Sequence, residues 1–277
     1  MKPAAVDYVR AESLAEAIAL LAGAGDEARV IAGGQSLVAM LNLRIAAPAL
    51  LIDIARLPEL TAAEDEADAV SLGACITHAM VEDERVPDPS LGLLPRVAAG
   101  LAYRAIRNRG TIGGSLALAD PAAEWPAVLA ALDAAAVLHG PNGRRAIDCT
   151  QFAIGIFATR LGSAEIVEKV RIPRLSATAR WGYLKLCRKL GEFAQALAIA
   201  VCDPASDYSR VVVGAANGPP LVLTSASAAL AAGRHDEGSM RPAIAADLDH
   251  AADRQFDAFQ RNLHAVAAWR AVRQATA

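Results

Sequence analysis

An α+β fold in two parts is what the 277-residue sequence predicts. Three observations lead there. Up to about residue 165, short apolar strands alternate with helical stretches, the order of α/β subdomains. From about Glu165, four strand-like segments follow one another and two helical stretches close the chain, the order of an α+β domain. Two double-glycine turns, "AGGQS" and "TIGGS", fall in the first part alone.

Each element has its local reason. "ESLAEAIALLAGAG" predicts a helix, because Ser13 and Glu16 have the S-x-x-E spacing of a capping box and Gly23 supplies a stop. "ARVIAGG" is a short buried strand, and "SLVAMLNLRIA" a helix or helical turn that Pro48 ends. "ALLIDI" is a second buried strand closing near Asp53; acidic "TAAEDEADAV" reads as a solvated turn before the strand "VSLGACIT". "THAMVEDERV" and "LLPRVAAGLAYRAIRNR" are expected as helices leading to the second glycine turn, with "PAVLAALDA" a helix after it. "AAVLHG" and "RRAIDC" flank Pro141-Asn142-Gly143 as a hairpin. "EIVEKVRIP", "WGYLKLCRK", "FAQALAIAVC" and "YSRVVVGAAN" read as strands; "TSASAALAAG" and "DLDHAADRQFDAFQRNLHAVAAWRAVRQ" read as helices. A boundary between residues 160 and 170 gives a first domain of 1–165, with subdomains of about 1–55 and 56–165, and a second of 166–277.

The composition narrows the class. The chain is 54% hydrophobic and 21% charged with net charge -3, values of a soluble globular protein with no electrostatic footprint for nucleic acid. No apolar run reaches the roughly 18–20 residues of a membrane-spanning helix, and "MKPAAVDYVRAESL" lacks a signal-peptide core, so the cytoplasm is the expected compartment. Cys75, Cys149, Cys187 and Cys202 are scattered with no C-x-x-C pair, which argues against an iron–sulfur or structural zinc site in this chain. Any redox role therefore rests on an organic cofactor. The five histidines, His78, His139, His235, His250 and His264, show no metal-binding spacing and are expected mostly at the surface.

The two glycine turns carry the most chemistry. Glycines let backbone N–H groups approach an anion, and a following helix adds its positive end. Gly33-Gly34-Gln35-Ser36 and Thr111-Ile112-Gly113-Gly114-Ser115 share this design, with Arg107 and Arg109 just before the second. A Gly-Gly pair is equally a plain change of direction, so either turn alone decides nothing. Neither matches G-x-G-x-x-G or G-x-x-x-x-G-K-[ST], which disfavours Rossmann and P-loop sites, and no Ser lies in G-x-S-x-G. Asp120 and Glu124 read either as paired carboxylates or, preferably, as a helix cap beside a residue that binds a hydroxyl or faces water.

In order along the chain, "VIAGGQSLVAMLNLRIAAPALLIDIARLPEL", "IRNRGTIGGSLALADPAAEWPAVLAALDA", "GPNGRRAID", "EIVEKVRIP" and "WGYLKLCRKLGEFAQALAIAV" resemble the FAD-binding medium subunit of molybdenum hydroxylases, the carbon monoxide dehydrogenase and xanthine dehydrogenase family. The resemblance implies a vanillyl-alcohol-oxidase-type FAD-binding domain of two α/β subdomains, plus a C-terminal α+β domain of antiparallel strands and helices. It implies that Ala32, Gly33, Gly34, Gln35, Ser36 and Leu37, with Thr111, Ile112, Gly113, Gly114 and Ser115, wrap the FAD pyrophosphate. Glu124 takes the place of an Asp in a P-x-x-D pattern and is expected near the adenosine ribose; Lys185, beside Tyr183, is expected to approach the flavin. Gln35 stands where some relatives carry histidine, so non-covalent FAD is expected.

By the same resemblance the chain is an electron-transfer subunit of a heterotrimeric oxidoreductase. A large subunit would hold molybdopterin, and a small subunit would pass electrons from [2Fe–2S] clusters to FAD. An external acceptor (NAD, a quinone, a cytochrome or oxygen) would then take them. No residue of this chain is expected to be catalytic in its own right, and none to bind metal. The alternatives are a self-sufficient FAD-dependent oxidoreductase and a non-catalytic assembly subunit that has lost flavin.

Overall fold

Three parallel strands begin the molecule, in a computed structural model that describes residues 2–277. Strands β1 (Asp7–Arg10), β2 (Ala28–Ile31) and β3 (Leu50–Asp53) form a sheet of order β1-β3-β2, crossed by helices α1 (Leu14–Ala24) and α2 (Leu37–Asn42). Ser13 caps α1 by accepting from the Glu16 N–H at 3.1 Å, as the spacing predicts. The Glu16 carboxylate returns to the Glu12 N–H at 2.7 Å, one residue earlier than in a standard capping box. The helix runs past Gly23 and stops at Gly25, whose φ of +56° is open to glycine at little cost. Leu14, Ala17, Ile18 and Leu21 of α1 bury against Ile52 and Ile54. Because the strands are parallel, their C-terminal ends share one edge, and the first glycine turn leaves from it.

The second unit is built on an antiparallel sheet. Its elements are α3 (Pro58–Thr61), β4 (Ala63–Asp65), β5 (Ala69–Gly73), α4 (His78–Glu82), α5 (Leu93–Ala99), α6 (Arg104–Arg107), α7 (Ile112–Leu118) and α8 (Glu124–Ala131). There follow β6 (Ala135–Gly140), β7 (Gly143–Asp148), α9 (Cys149–Phe152), β8 (Ala153–Gly155), β9 (Ala158–Thr159) and β10 (Ile166–Pro173). The sheet order is β4-β5-β10-β6-β7. The acidic segment expected as a solvated turn is in part the edge strand β4. Cross-strand ion pairs support it: Glu64 with Lys169 at 2.6 Å, Asp68 with Arg171 at 2.7 Å, and Asp65 with Arg174. The long helix expected before the second glycine turn is broken into α5 and α6, where Gly100 ends the first and Ala102 adopts a φ of +38°. The predicted hairpin forms, with Pro141-Asn142 as its turn and Gly143, at φ +94°, already paired with Gly140. β10 is central, bonded to β5 on one side and β6 on the other, so sheet pairing ties residues 166–173 to this unit.

The last third packs helices on a four-stranded antiparallel sheet, β11 (Arg180–Leu186), β12 (Ala196–Asp203), β13 (Tyr208–Gly214) and β14 (Leu221–Val222). Alternation along β12 splits its faces. Leu197, Ile199 and Val201 join the core around α8, while Ala196, Ala198 and Ala200 face the helical layer α10 (Thr224–Ala231), α11 (Glu237–His250) and α12 (Ala258–Ala275). The terminal helix expected as one span is interrupted after His250. Gln255 takes a φ of +51°, and Asp257 restarts the helix through a capping box with Gln260. Helix α8 thus lies between two sheets, which sets its first residue, Glu124, against β11.

Candidate functional site

The first turn is a row of free donors. Gly34 sits at φ +72°, a backbone state that L side chains rarely adopt, and its carbonyl accepts from the Val38 N–H at 3.0 Å to start α2. The N–H groups of Gly33, Gly34, Gln35, Ser36 and Leu37 donate to no protein acceptor among the described residues. Five successive free amides at a strand-to-helix junction are donors of the kind that serve an anion. The Gln35 side chain turns back to the Gly33 carbonyl at 3.3 Å, and Gln35 and Ser36 are exposed.

In the second turn the amides are used internally. Ile112 N–H donates to the Ile76 carbonyl at 3.1 Å, Gly113 N–H to Ala74 at 2.9 Å, and Gly114 N–H to the Thr111 hydroxyl oxygen at 3.1 Å. These bonds clamp α7 onto the segment after β5. Gly113 is a packing glycine: a Cβ there would lie 2.8 Å from the Ala74 backbone. Gly114 is exposed, and a Cβ on it would meet only the Thr111 hydroxyl, at 2.8 Å. What this turn presents outward is the Ser115 hydroxyl and a surface without side chain at Gly114.

The turns touch. A Cβ on Gly33 would overlap the Arg109 carbonyl and lie 2.9 Å from the Gly110 Cα. Of the two arginines noted in the sequence, Arg107 is spent on Glu82, at 2.7 Å, and on the carbonyls of Leu101 and Ala102; Arg109 is exposed.

Glu124 and Lys185, far apart in sequence, form a buried ion pair with Nζ 2.6 Å from Oε1, and Lys185 also donates to the Gly100 carbonyl at 3.2 Å. Burial pushes the Glu124 carboxyl above its ordinary range, and the Lys185 charge opposes that rise. Glu124 does not face water, as one reading of the sequence had it: it is buried and paired. Asp120 accepts from the Ala122 N–H at 2.9 Å, while the residue before α8 is Ala123, so Asp120 shapes the preceding turn rather than capping the helix. The Tyr183 hydroxyl is buried without a hydrogen-bond partner, its pKa raised by burial and then by the Glu124 charge.

The histidines depart from expectation too. His78 and His264 are buried, and only His235 and His250 are fully exposed. His78 Nδ1 accepts from the Trp125 indole N–H at 3.0 Å; burial, then Arg107, lowers its pKa to about 4. Neither residue was singled out from the sequence, because a lone histidine and a lone tryptophan show no pairing until the chain is folded.

Residues 4–175 match the family described as the FAD binding domain in molybdopterin dehydrogenase. The chain is 39% identical over 212 residues to the 6-hydroxypseudooxynicotine dehydrogenase complex subunit alpha of Paenarthrobacter nicotinovorans, covering 76% of this chain and 72% of that one. It is 36% identical to the carbon monoxide dehydrogenase medium chain of Hydrogenophaga pseudoflava, covering 80% and 78%. A structure of carbon monoxide dehydrogenase from Hydrogenophaga pseudoflava superposes with a TM-score of 0.92 at 32% identity, covering 100% of this chain and 99% of that one.

Proposed function

The chain belongs to the FAD-binding subunits of the molybdopterin dehydrogenases, and from that membership we propose that its two glycine turns hold FAD on an electron path from a [2Fe–2S] partner subunit to an external acceptor. The observation that carries the reading is the row of five undonated amides from Gly33 to Leu37, in contact through Gly33 with the start of a second turn whose exposed Gly114 has no side chain.

The residues fit the group. A pyrophosphate needs several N–H donors without competing carboxylates, and the first turn offers them. Ser115 adds a partly exposed hydroxyl from the second turn, the buried Thr111 hydroxyl holds Gly114 in place, and Ala32 leads the strand into the first turn. The Glu124–Lys185 pair and the buried Tyr183 hydroxyl lie where α8 meets β11, and we propose them as the polar neighbours of the flavin side of the site. Bound there, FAD supplies the exchange between single-electron carriers and a two-electron acceptor. The chain's own part is to bind, orient and shield. The large molybdopterin subunit and the acceptor lie outside this chain, and among the described residues no helix is long and apolar enough to cross a membrane. We place the domain division near residue 165, with the strand that follows it, β10, still paired into the five-stranded sheet of the preceding unit. Free thiols at all four cysteines support a reducing compartment such as the cytoplasm.

The test is flavin content. Purified chain is expected to carry FAD releasable by acid, and Gly114→Leu to lower FAD affinity by about tenfold or more with the fold kept, since the new side chain projects into the ligand face. A folded, assembled chain that never carries FAD refutes the reading; unchanged affinity in Gly114→Leu refutes the assignment of the second turn.

A further inference from the structure

Gly110 is held on two sides. On one, its Cα lies against Gly33 of the first turn, 2.9 Å from where a Cβ on Gly33 would stand. On the other lies the His78 ring: a Cβ on Gly110 would sit 2.7 Å from Nε2 and 2.8 Å from Cδ2. The ring is itself fixed. The His78 backbone N–H donates to the Gly110 carbonyl at 2.9 Å, and Nδ1 accepts from Trp125 at 3.0 Å, which leaves the single proton of the neutral ring on Nε2. Trp125 is 1% exposed and follows Glu124, the partner of Lys185. A stack of direct contacts therefore runs from the start of α8 through His78 and Gly110 to Gly33.

We infer that His78 is a positioning residue for the ligand: its ring, oriented by Trp125, sets the spacing of the second glycine turn against the first. This rests on the reading of the turns as the FAD site. Neither turn carries this control itself, because Gly33 and Gly110 have no side chains with which to set a distance. The rigid group against Gly110 on its far side is the imidazole.

Equilibrium binding of FAD to the full-length apo chain, followed by flavin fluorescence at neutral pH, tests it. His78→Asn puts Oδ1 where Nδ1 stands, keeping an acceptor for Trp125, and its Nδ2 near the place of Cδ2, but removes Nε2, the nearer of the two ring atoms, from behind Gly110. The apo melting temperature is expected to change little while FAD affinity falls by about tenfold, the scale of a lost packing contact. Gly110→Ala crowds the same contact from the other side and is expected to weaken binding by a similar factor. In the double variant the new methyl enters the space that Nε2 vacates, and the loss of affinity is expected to be clearly smaller than the two single losses combined. Unchanged affinity in His78→Asn, or losses that simply add in the double variant, overturn the inference. Should His78→Asn fail to fold, Gly110→Ala alone decides: weaker FAD binding at unchanged melting temperature supports the positioning role, and unchanged binding overturns it. Wild-type chain that binds no FAD overturns the site reading and this inference together.

Discussion

At the scale of single residues, the Glu124–Lys185 pair joins the two parts of the molecule through a contact from which water is largely excluded. A pair of this kind gains little over a well-packed apolar replacement, but losing one partner leaves a buried charge without compensation. Lys185→Met is therefore expected to cost roughly 3–5 kcal/mol, and Glu124→Leu combined with Lys185→Met to recover most of that loss. A double-mutant cycle by urea unfolding measures both, and equal losses in the single and double variants would remove the pair from the account. The sequence marked both residues, through their resemblance to a binding motif and not through each other. Their contact spans sixty-odd positions of chain, and no spacing rule reaches across that distance.

Among elements, α12 owes its place on β11 to Gly182, where a Cβ would overlap the Ala271 carbonyl of the helix. Backbone on both sides has nowhere to yield, so Gly182→Ala is expected to lower unfolding free energy by roughly 3 kcal/mol or more, read from a denaturant titration. Elements governed by local rules were legible: the cap at Ser13, the hairpin around Pro141-Asn142 and the alternating strands appear where the pattern puts them. Elements broken by positive-φ residues were not. Ala102 and Gln255 interrupt stretches whose composition favours continuous helix. Neither is a glycine or proline, so no breaker in the sequence marks either turn. Strand β4 escaped notice for a related reason: its acidic residues read as solvent-facing loop until Lys169 of β10 and Arg174 just after it reach them.

Over the whole molecule, two buried histidines set a dependence on pH. Burial lowers His78 and His264 from 6.5 to about 4, with Arg107 contributing at His78. Between those values the unfolded chain binds protons that the folded chain refuses, so stability is full above 6.5 and falls as pH drops toward 4. The loss amounts to about 3 kcal/mol for each histidine by pH 4, from about 1.4 kcal/mol per pKa unit. Glu124 acts in the opposite sense, because its raised pKa lets the folded chain keep a proton that the unfolded one releases as pH rises past 4.5. The net expectation is a melting temperature that falls steeply from pH 6.5 to 4 and falls less in His264→Gln; a flat profile over that range would contradict it.

The sequence by itself determined the class of fold, the two glycine turns and the family, because strands, caps and turns follow from neighbours within a few residues. Tertiary structure alone decided what each glycine does. Gly34 is needed for its backbone angle, Gly33 and Gly113 for close approach of other segments, and Gly114 for an open surface. It also decided that the first turn keeps its amides free while the second spends its own on the fold. The physical reason is that hydrogen bonding, burial and ion pairing depend on which groups meet in space, and those meetings join residues that no local pattern connects.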